Sequence, residues 1–441
     1  MIGSAYARDR LTGLRQIEAF RHRNYRLFFA GQLVSLIGTW MQQVAQAWLV
    51  LQLTGDPIWL GIVATAQFLP VMVLGLFAGV VADALPKRQL LLAAQVAMMA
   101  LAFVLAALVI TGIVEVWMIV LLALLLGIAN AVDMPVRQSF AVELVGREHV
   151  GNAVALNSAM FNGARIVGPA AAGLAIGAFG VAAAFLVNGL SFLAVIVGLW
   201  LINDAELELP ARIDRPTTAR AVVRNLGEGL GYVRQTPVVL LAVVVVGTVA
   251  TAGMNWNVLI PAFAQGELKS DAAGFGFLMA ASGIGSLLAA LRLVFGGRPQ
   301  PVRLATGALI LGVASVALAV SRVFPVSLGL MVIVGFGAIL MAATGNTTIQ
   351  LAVPDHLRGR VMSVYTTVFS ASVPIGGLAM GAIASGFGTA LAIGIGGVLT
   401  VAAGVAALAW GRRGAFTIPA IAPAPGPSAG LVPRAGVARP R

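Results

Sequence analysis

Long stretches without charge are the feature of this sequence that most limits its fold. No Asp, Glu, Lys or Arg occurs in the 29 residues between Arg26 and Asp56, or in the 51 residues between Arg360 and Arg412. A transmembrane helix needs about 20 apolar residues, so the first gap accommodates one helix and the second accommodates two. Only 10% of the 441 residues are charged, against about 25% in soluble domains. The sequence therefore predicts an integral membrane protein built from helices.

Gly and Pro residues divide the chain into segments of membrane-spanning length. The resulting prediction is an all-α integral membrane fold with twelve transmembrane helices in two six-helix, pseudo-symmetric bundles. The predicted helices are residues 26–52, 58–82, 89–111, 116–137, 151–175, 182–202, 237–262, 273–296, 303–320, 326–349, 361–385 and 390–410.

The distribution of basic residues supports an even number of helices. With both termini in the cytoplasm, 25 of the 28 Lys and Arg residues lie on the cytoplasmic side. Lys269 and Arg322 then lie outside, and Arg165 lies within a helix. This asymmetry is typical of a bacterial inner-membrane protein. The net charge of +12 therefore indicates attraction to anionic lipid, and we predict no nucleic-acid partner. No cleavable signal peptide is visible.

The sequence excludes several kinds of active site. There is no Cys, and His22, His149 and His356 all lie in predicted cytoplasmic segments, so no metal site is predicted. Neither Lys87 nor Lys269 stands in the Gly-Lys-Ser/Thr sequence of a nucleotide-binding loop. No HExxH or GxSxG motif occurs. We expect no cofactor and no enzymatic activity.

The longest polar segment inside the chain separates two halves. Apolar residues recur at helical spacing between Ala219 and Val233, which predicts an amphipathic helix lying on the membrane surface. A partly ordered linker is the alternative. The predicted regions are a basic cytoplasmic N-terminus (1–25), an N-terminal bundle (26–202), a cytoplasmic linker (203–236), a C-terminal bundle (237–411) and a disordered cytoplasmic tail (412–441).

The two halves match each other at an offset of 208 residues. Glycine is common in this chain, with 52 residues, so single coincidences carry little weight. Several matches at one offset favour a duplicated six-helix unit. The matching pairs are Trp48 and Trp256, Gly75 and Gly283, Gly127 and Gly335, Gly151 and Gly359, Gly168 and Gly376, and Gly173 and Gly381.

A charged motif follows the second predicted helix. The sequence GVVADALPKRQ places Gly79, Asp83, Lys87 and Arg88 at a spacing of four, four and one residues. Gly79 allows a neighbouring helix to approach closely. Asp83 can accept hydrogen bonds, and Lys87 can pair with a carboxylate. We interpret this cluster as part of a cytoplasmic latch that holds one conformation.

The motif resembles the signature of the major facilitator superfamily, Gly-x-x-x-Asp-Arg-x-Gly-Arg-Arg/Lys. This chain has Ala84 and Pro86 in place of the arginine and the glycine, so the resemblance implies a weaker latch. The resemblance also implies that Asp133, in ANAVDMPVRQ, joins this charge relay. The alternative is that Asp133 only pairs with Arg137 one turn later.

A second motif lies in the fifth predicted helix. GPAAAG, residues 168–173, resembles the Gly-Pro-x-x-Gly-Gly motif of proton-coupled antiporters in the superfamily. Pro169 removes a backbone donor, and small residues permit close helix packing. We predict a bendable packing surface formed by Gly163, Gly168, Pro169 and Gly173. Ordinary packing of small residues is the alternative.

Two longer stretches narrow the resemblance. Residues 23–50 (RNYRLFFAGQLVSLIGTWMQQVAQAWLV) and 137–169 look like the bacterial exporter branch that contains the enterobactin exporter, labelled transmembrane secretion effector. This resemblance implies export of a small molecule coupled to proton entry, with a monomeric protein in the plasma membrane. An importer or facilitator of the same fold, and a membrane scaffold or sensor that transports nothing, remain alternatives.

Arg165 is a charge without an obvious partner. It lies about 22 Å along the fifth predicted helix at 1.5 Å per residue, where an unpaired charge is costly. We expect it to line the transport path and to favour an anionic or strongly polar group on the substrate. Packing against helix carbonyls is the alternative. The other candidate cavity residues are Trp40, Gln42, Gln43, Gln46, Asn157, Asn162, Asn255, Trp256, Asn257 and Asn346.

Overall fold

The computed structural model describes residues 18–208, 219–295 and 300–416, and it leaves out the side chains of 75–84, 147, 219–223, 413 and 415. Within these ranges the chain is helical and contains no strand. The helices are α1 (Arg23–Thr54), α2 (Ile58–Ala84), α3 (Lys87–Ile110), α4 (Val116–Gly146), α5 (Glu148–Phe179), α6 (Val181–Trp200), α7 (Ala219–Gln235), α8 (Pro237–Gly253), α9 (Trp256–Gly266), α10 (Ala272–Phe295), α11 (Val302–Val320), α12 (Phe324–Ala352), α13 (Asp355–Phe387) and α14 (Thr389–Trp410).

The structure supports a multi-pass membrane protein without fixing the number of spans. Among the described residues, ten segments are long and apolar enough to cross a membrane, with α8 and α9 counted together as Pro237–Gly266. Two helices are not among these ten. The described apolar part of α2, Ile58–Leu74, is too short, and the polar side chains of α1 lower its mean hydropathy. The predicted count of twelve therefore stays a prediction. Helices suit this chain because each satisfies its own backbone hydrogen bonds, which lipid cannot do.

The connection between α4 and α5 is much shorter than the predicted loop of residues 138–150. Helix α4 ends at Gly146 and α5 begins at Glu148. Gly146 has the non-helical backbone angles, φ 69° and ψ 170°, that change the chain direction between them. Glycine adopts this backbone conformation without the steric cost that a Cβ imposes. Residues on either side of Gly146 therefore belong to helices that carry the functional residues.

The seventh predicted helix, residues 237–262, is broken in the structure. Its helical geometry is lost at Met254 and Asn255, which separates α8 from α9. The side-chain amide of Asn255 donates to the carbonyl of Thr251 at 2.7 Å and so replaces the backbone donor that the break removes. The short helix α9 begins at Trp256.

The contacts of matched glycines repeat at the 208-residue offset. Gly168 on α5 lies against α1, and its counterpart Gly376 on α13 lies against Thr251 and Asn255 at the end of α8. The next pair connects the halves. Gly173 on α5 packs on α10, whereas Gly381 on α13 packs on the start of α2. The helices α1–α6, the N-terminal half, and α8–α14, the C-terminal half, are therefore joined by two related contacts, α5 with α10 and α2 with α13.

The linker contains the predicted helix, but its described contacts are with protein. The hydroxyl of Tyr232 on α7 donates to the carbonyl of Ala352 at 2.9 Å, and Glu228 pairs with Arg360 on α13. Val233 is buried among α8 and its neighbours. One side of α7 therefore docks on the C-terminal half, and its position at the membrane surface stays a prediction. The tail, residues 417–441, and the first 17 residues lie outside the described part.

Candidate functional site

One face of α5 runs from an open cavity to a closed packing surface. Val154, Ser158 and Phe161 follow one another at spacings of four and three residues, and all three are exposed. Arg165 is next on the same face, four residues after Phe161, and Gly168 follows it. Residues at these spacings lie above one another on a helix. Arg165 therefore lies where the exposed part of the face ends and the packed part begins.

The exposed part of this face lines a cavity of about 540 Å³. Gln138 and Val142 on α4 contribute to its wall, together with Asn157, Ser158 and Asn162 on α5. The Oδ1 atom of Asn157 is buried without a hydrogen-bond partner among the described residues. Cavities of this size hold drug-sized molecules, and unpartnered polar atoms at their walls are available to a ligand.

The guanidinium of Arg165 contacts two tryptophan rings. Its Cζ lies 5.9 Å from the ring centroid of Trp40 on α1 and 5.3 Å from that of Trp256 on α9. These distances are within the range of cation–π attraction. Within the described ranges, Arg165 has no hydrogen bond or ion pair. The structure thus brings together three of the predicted cavity residues, from both halves of the protein.

Three further predicted residues lie around a second, smaller space. Gln43 and Gln46 on α1 and Asn257 on α9 line a cavity of about 40 Å³. Gln67 on α2 completes its wall of four amides. This volume is enough for one or two water molecules, and amides can both donate to and accept from them. The space therefore lies between α1 and α2 of one half and α9 of the other.

Three other predicted cavity residues line neither cavity and have partners elsewhere, so their place in the transport path stays a prediction. Gln42 accepts a hydrogen bond from the amide of Asn188 on α6 at 2.6 Å, inside the N-terminal half. Its position differs from that of Gln43 because one residue turns a helix by about 100°. Asn255 bonds to Thr251 and lies against α13. The carbonyl of Asn346 on α12 accepts from its own helix neighbour, Gln350.

Small residues of α5 and α10 form the packing surface beyond Arg165, which we call the inter-half seam. It consists of Pro169 and Gly173 with Ala273 and Gly276, whereas Gly168 packs on α1. A Cβ added at Gly173 would lie 2.7 Å from the Cα of Ala273. One added at Gly276 would meet the carbonyl of Pro169 and lie 3.1 Å from the Cα of Gly173. Side chains would force these backbones apart, so the seam depends on their absence.

Pro169 affects the backbone at the level of Arg165. Proline has no N–H, so the carbonyl four residues earlier, that of Arg165, lacks its usual helical partner. Gly283 of α10 lies close to this carbonyl, since its added Cβ would be 3.1 Å from the oxygen.

Gly163, the fourth residue of the predicted packing surface, has no close neighbour, because a Cβ there would meet nothing within 4 Å. The structure therefore places Gly163 outside the seam.

Two basic residues of the predicted cytoplasmic latch pair with acids of the N-terminal half and of the start of the linker. Lys87 pairs with Glu143 on α4, and Arg88 pairs with Asp204 at 2.7 Å. Arg88 also donates to the carbonyls of Leu199 and Trp200, both at 2.8 Å. None of these described contacts reaches the C-terminal half. Gly79 and Asp83 belong to the segment 75–84, whose side-chain contacts the structure does not describe.

Asp133 belongs to a buried polar network. Its carboxylate pairs with Arg137 at 2.8 Å and accepts from the amide of Gln95 on α3 at 2.9 Å. Arg137 in turn donates to Gln32 on α1 at 3.0 Å. Asp133 is only 1% exposed. The one-turn pair is therefore present, and three helices contribute to the network around it.

Sequence reasoning missed several members of these sites. Glu143 was missed because its partner, Lys87, becomes evident only in the fold. Its one signal in the sequence is an acidic side chain in the predicted loop of residues 138–150. Gln32, Gln95 and Gln67 are polar residues in apolar helices, and that pattern alone marks a buried contact or a cavity. Among the described residues, no group of three or more His, Asp or Glu side chains is arranged to hold a metal ion.

Known proteins resemble this chain over most of its length. The multidrug efflux pump Tap of Mycolicibacterium fortuitum is 31% identical over 82% of this chain and 89% of its own. The staphyloferrin A transporter of Staphylococcus aureus is 22% identical over 85% of this chain and 93% of its own. Both relatives therefore match the chain across its two halves.

Comparison with a solved structure supports the same fold. A bacterial homologue of the human lysosomal transporter Spinster, in an inward-facing and occupied conformation, superposes with a TM-score of 0.70. It is 13% identical and covers 90% of this chain and 99% of its own. A family profile described as transmembrane secretion effector matches residues 16–415. The chain is thus a membrane transporter for small molecules rather than an enzyme, and it belongs to the transmembrane secretion effector family of the major facilitator superfamily.

Proposed function

We propose that the protein exports a small molecule across the bacterial plasma membrane by alternating access and that proton entry drives the export. Both termini lie in the cytoplasm in this proposal, and the protein acts as a monomer surrounded by lipid. The substrate is a siderophore, a drug or a metabolite. Relatives described as efflux pumps support the direction of transport.

One observation carries the proposal: the cavity of about 540 Å³ extends along α5 as far as Phe161 and Asn162, one turn before Arg165, and the inter-half seam packs closely beyond that point. A cavity that is open at one end and sealed at the other is what alternating access requires in each of its end states. The cavity lies near Gly146, on the side where the basic residues place the cytoplasm.

Transport is tested with purified protein in liposomes. An imposed pH gradient, acidic on the side from which protons enter, is combined with a mixed panel of siderophores, drugs and metabolites. We expect at least one compound to accumulate against its own gradient only while the pH gradient lasts. Accumulation that ignores the gradient would contradict antiport, and no movement of any compound would support a scaffold or sensor.

Asp133 is the proposed proton carrier among the described residues. Its burial and its contacts with Arg137 and Gln95 place an ionisable group inside the N-terminal half, where such groups mark proton relays. We expect Asp133→Asn to abolish uptake driven by the pH gradient in liposomes, because the amide cannot release a proton. Exchange of labelled substrate without a gradient should persist.

The variant Asp83→Asn provides the second arm of this test. The sequence motif makes Asp83 the other candidate on the same side of the membrane. If both variants retain gradient-driven transport, a different group carries the proton or a different ion drives export. Thermal unfolding of each variant checks that lost transport does not reflect lost folding.

A further inference from the structure

Arg165 has donors that the described protein leaves unused. A guanidinium presents five N–H donors along its edges, and its two faces are apolar enough to stack on aromatic rings. Trp40 and Trp256 occupy ring-stacking positions at 5.9 and 5.3 Å. No described carboxylate, amide or carbonyl accepts from its edges. The two tryptophans thus hold the group in place and leave its hydrogen-bonding capacity free.

A positive charge in this position favours an anion from outside the chain. Desolvated charges inside membrane proteins normally pair with each other or with backbone carbonyls. Arg137, another described charge on the cavity side, is paired with Asp133 at 2.8 Å. Arg165 has no such partner among the described residues. A ligand that supplied a carboxylate would complete its coordination and would also neutralise its charge.

The cavity approaches Arg165 along one face of α5 and reaches Phe161, one turn before it. Phe161 lines the cavity of about 540 Å³, and its ring meets that of Trp40 edge to face with centroids 5.6 Å apart. Arg165 lies one turn further along the same face of α5. A molecule that enters the cavity therefore passes Phe161 before it reaches the guanidinium. Its polar end would meet Arg165 while an aromatic ring packs on Phe161 and Trp40.

We propose that Arg165, Trp40 and Trp256 form an anion subsite of the substrate cavity and that this subsite binds the carboxylate of a ring-containing organic acid. This inference rests on the proposed transport function, whose cavity it uses. The guanidinium edge matches a carboxylate through two parallel hydrogen bonds. A ring-bearing ammonium would face the charge of Arg165 directly and would be repelled. A neutral amide of the same shape lacks the charge interaction.

The test compares three probes that share one ring system. They are naphthalene-2-carboxylate, naphthalene-2-carboxamide and naphthalen-2-ylmethylammonium, each titrated calorimetrically into the full-length purified protein. We expect the carboxylate to bind about tenfold more tightly than the amide, as a charge-assisted contact implies, and we expect no saturable binding of the ammonium. Equal affinity of acid and amide, or preferred binding of the ammonium, would overturn the proposal without any variant.

Variants then locate the selectivity. Arg165→Gln should remove the advantage of the carboxylate over the amide, so that the two probes bind with similar affinity. Arg165→Lys keeps the charge but loses the planar fork, so it should retain only part of the advantage. Arg322→Gln is the matched control, because Arg322 already pairs with Glu267 at 3.2 Å outside the cavity. An acid preference that persists in Arg165→Gln would place the anion elsewhere and refute the subsite.

Binding and transport give separable outcomes. Calorimetry needs no pH gradient, so a protein that selects the carboxylate yet moves nothing in liposomes refutes the exporter and leaves the subsite intact. Gradient-driven export of compounds by a protein that binds acid and amide equally refutes the subsite and leaves the exporter intact.

Discussion

At the scale of single residues, Gln42 and Gln46 show how one side-chain type serves two purposes a turn apart. Gln46 lines the small amide cavity between the halves, whereas Gln42 bonds to Asn188 within one half. The sequence marks both as polar groups in an apolar helix, which predicts a partner or a cavity. It does not specify which neighbour provides the partner, because that depends on how α1 and α6 pack.

The assignment of Gln42 to packing is tested with Asn188→Leu. This change leaves the carbonyl of Gln42 without its donor, and interhelical hydrogen bonds in membranes contribute about 1 kcal/mol. We expect a lower midpoint of thermal unfolding and unchanged transport. Asn130→Leu is the control, because its amide donates to Leu126 of its own helix. Lost transport without lost stability would return Gln42 to the transport path.

At the scale of helices, the inter-half seam depends on glycine more than on any large side chain. The sequence predicts close packing at Gly168 and Gly173 from the motif around Pro169. The partner surface, Ala273 and Gly276, carries no comparable motif and becomes evident only once α5 and α10 lie together. The break between α8 and α9 was missed for a similar reason, since the side chain of Asn255 replaces a backbone bond that the sequence alone assigns to a continuous helix.

Gly276→Ala should weaken closure of the seam. The added Cβ would meet the carbonyl of Pro169, so α5 and α10 must separate. Spin labels are placed at Phe179 and Phe387, which are 81% and 74% exposed at the ends of α5 and α13. We expect double electron–electron resonance to report a longer distance between them in the variant. The matched control is Gly177→Ala, where a Cβ meets nothing within 4 Å. An unchanged distance would show that the seam tolerates a methyl group.

At the scale of the whole molecule, the two related contacts hold the halves together beyond Arg165 at one end of α5, and the large cavity lies towards the other end of that helix. Charge distribution and the 208-residue repeat predict two related halves and an orientation. Which end is closed depends on the relative tilt of the two halves. The sequence pattern of either half does not predict that tilt. The orientation in the membrane stays a prediction that labelling can examine.

The absence of cysteine makes this labelling direct, since a single introduced thiol has no competitor. Ser158→Cys places the thiol on the exposed face in the cavity. We expect a membrane-impermeant maleimide to modify it from the cytoplasmic side and a bound substrate to slow the reaction. Ala172→Cys, at a position that is 0% exposed, is the protected control. Modification of residue 158 only from the outer side would reverse the proposed topology.

The contact between Arg165 and Trp256 has an energetic consequence for the transport cycle. Arg165 belongs to the N-terminal half and Trp256 to the C-terminal half, so we expect rotation of one half against the other to separate the guanidinium from the ring. A desolvated cation–π contact is worth about 2 kcal/mol. Its loss alone would change the ratio of the two end-state populations by roughly thirtyfold. In the empty protein this contact therefore acts as a bias on the resting equilibrium, and a ligand that displaces Trp256 from Arg165 would remove that bias as it binds.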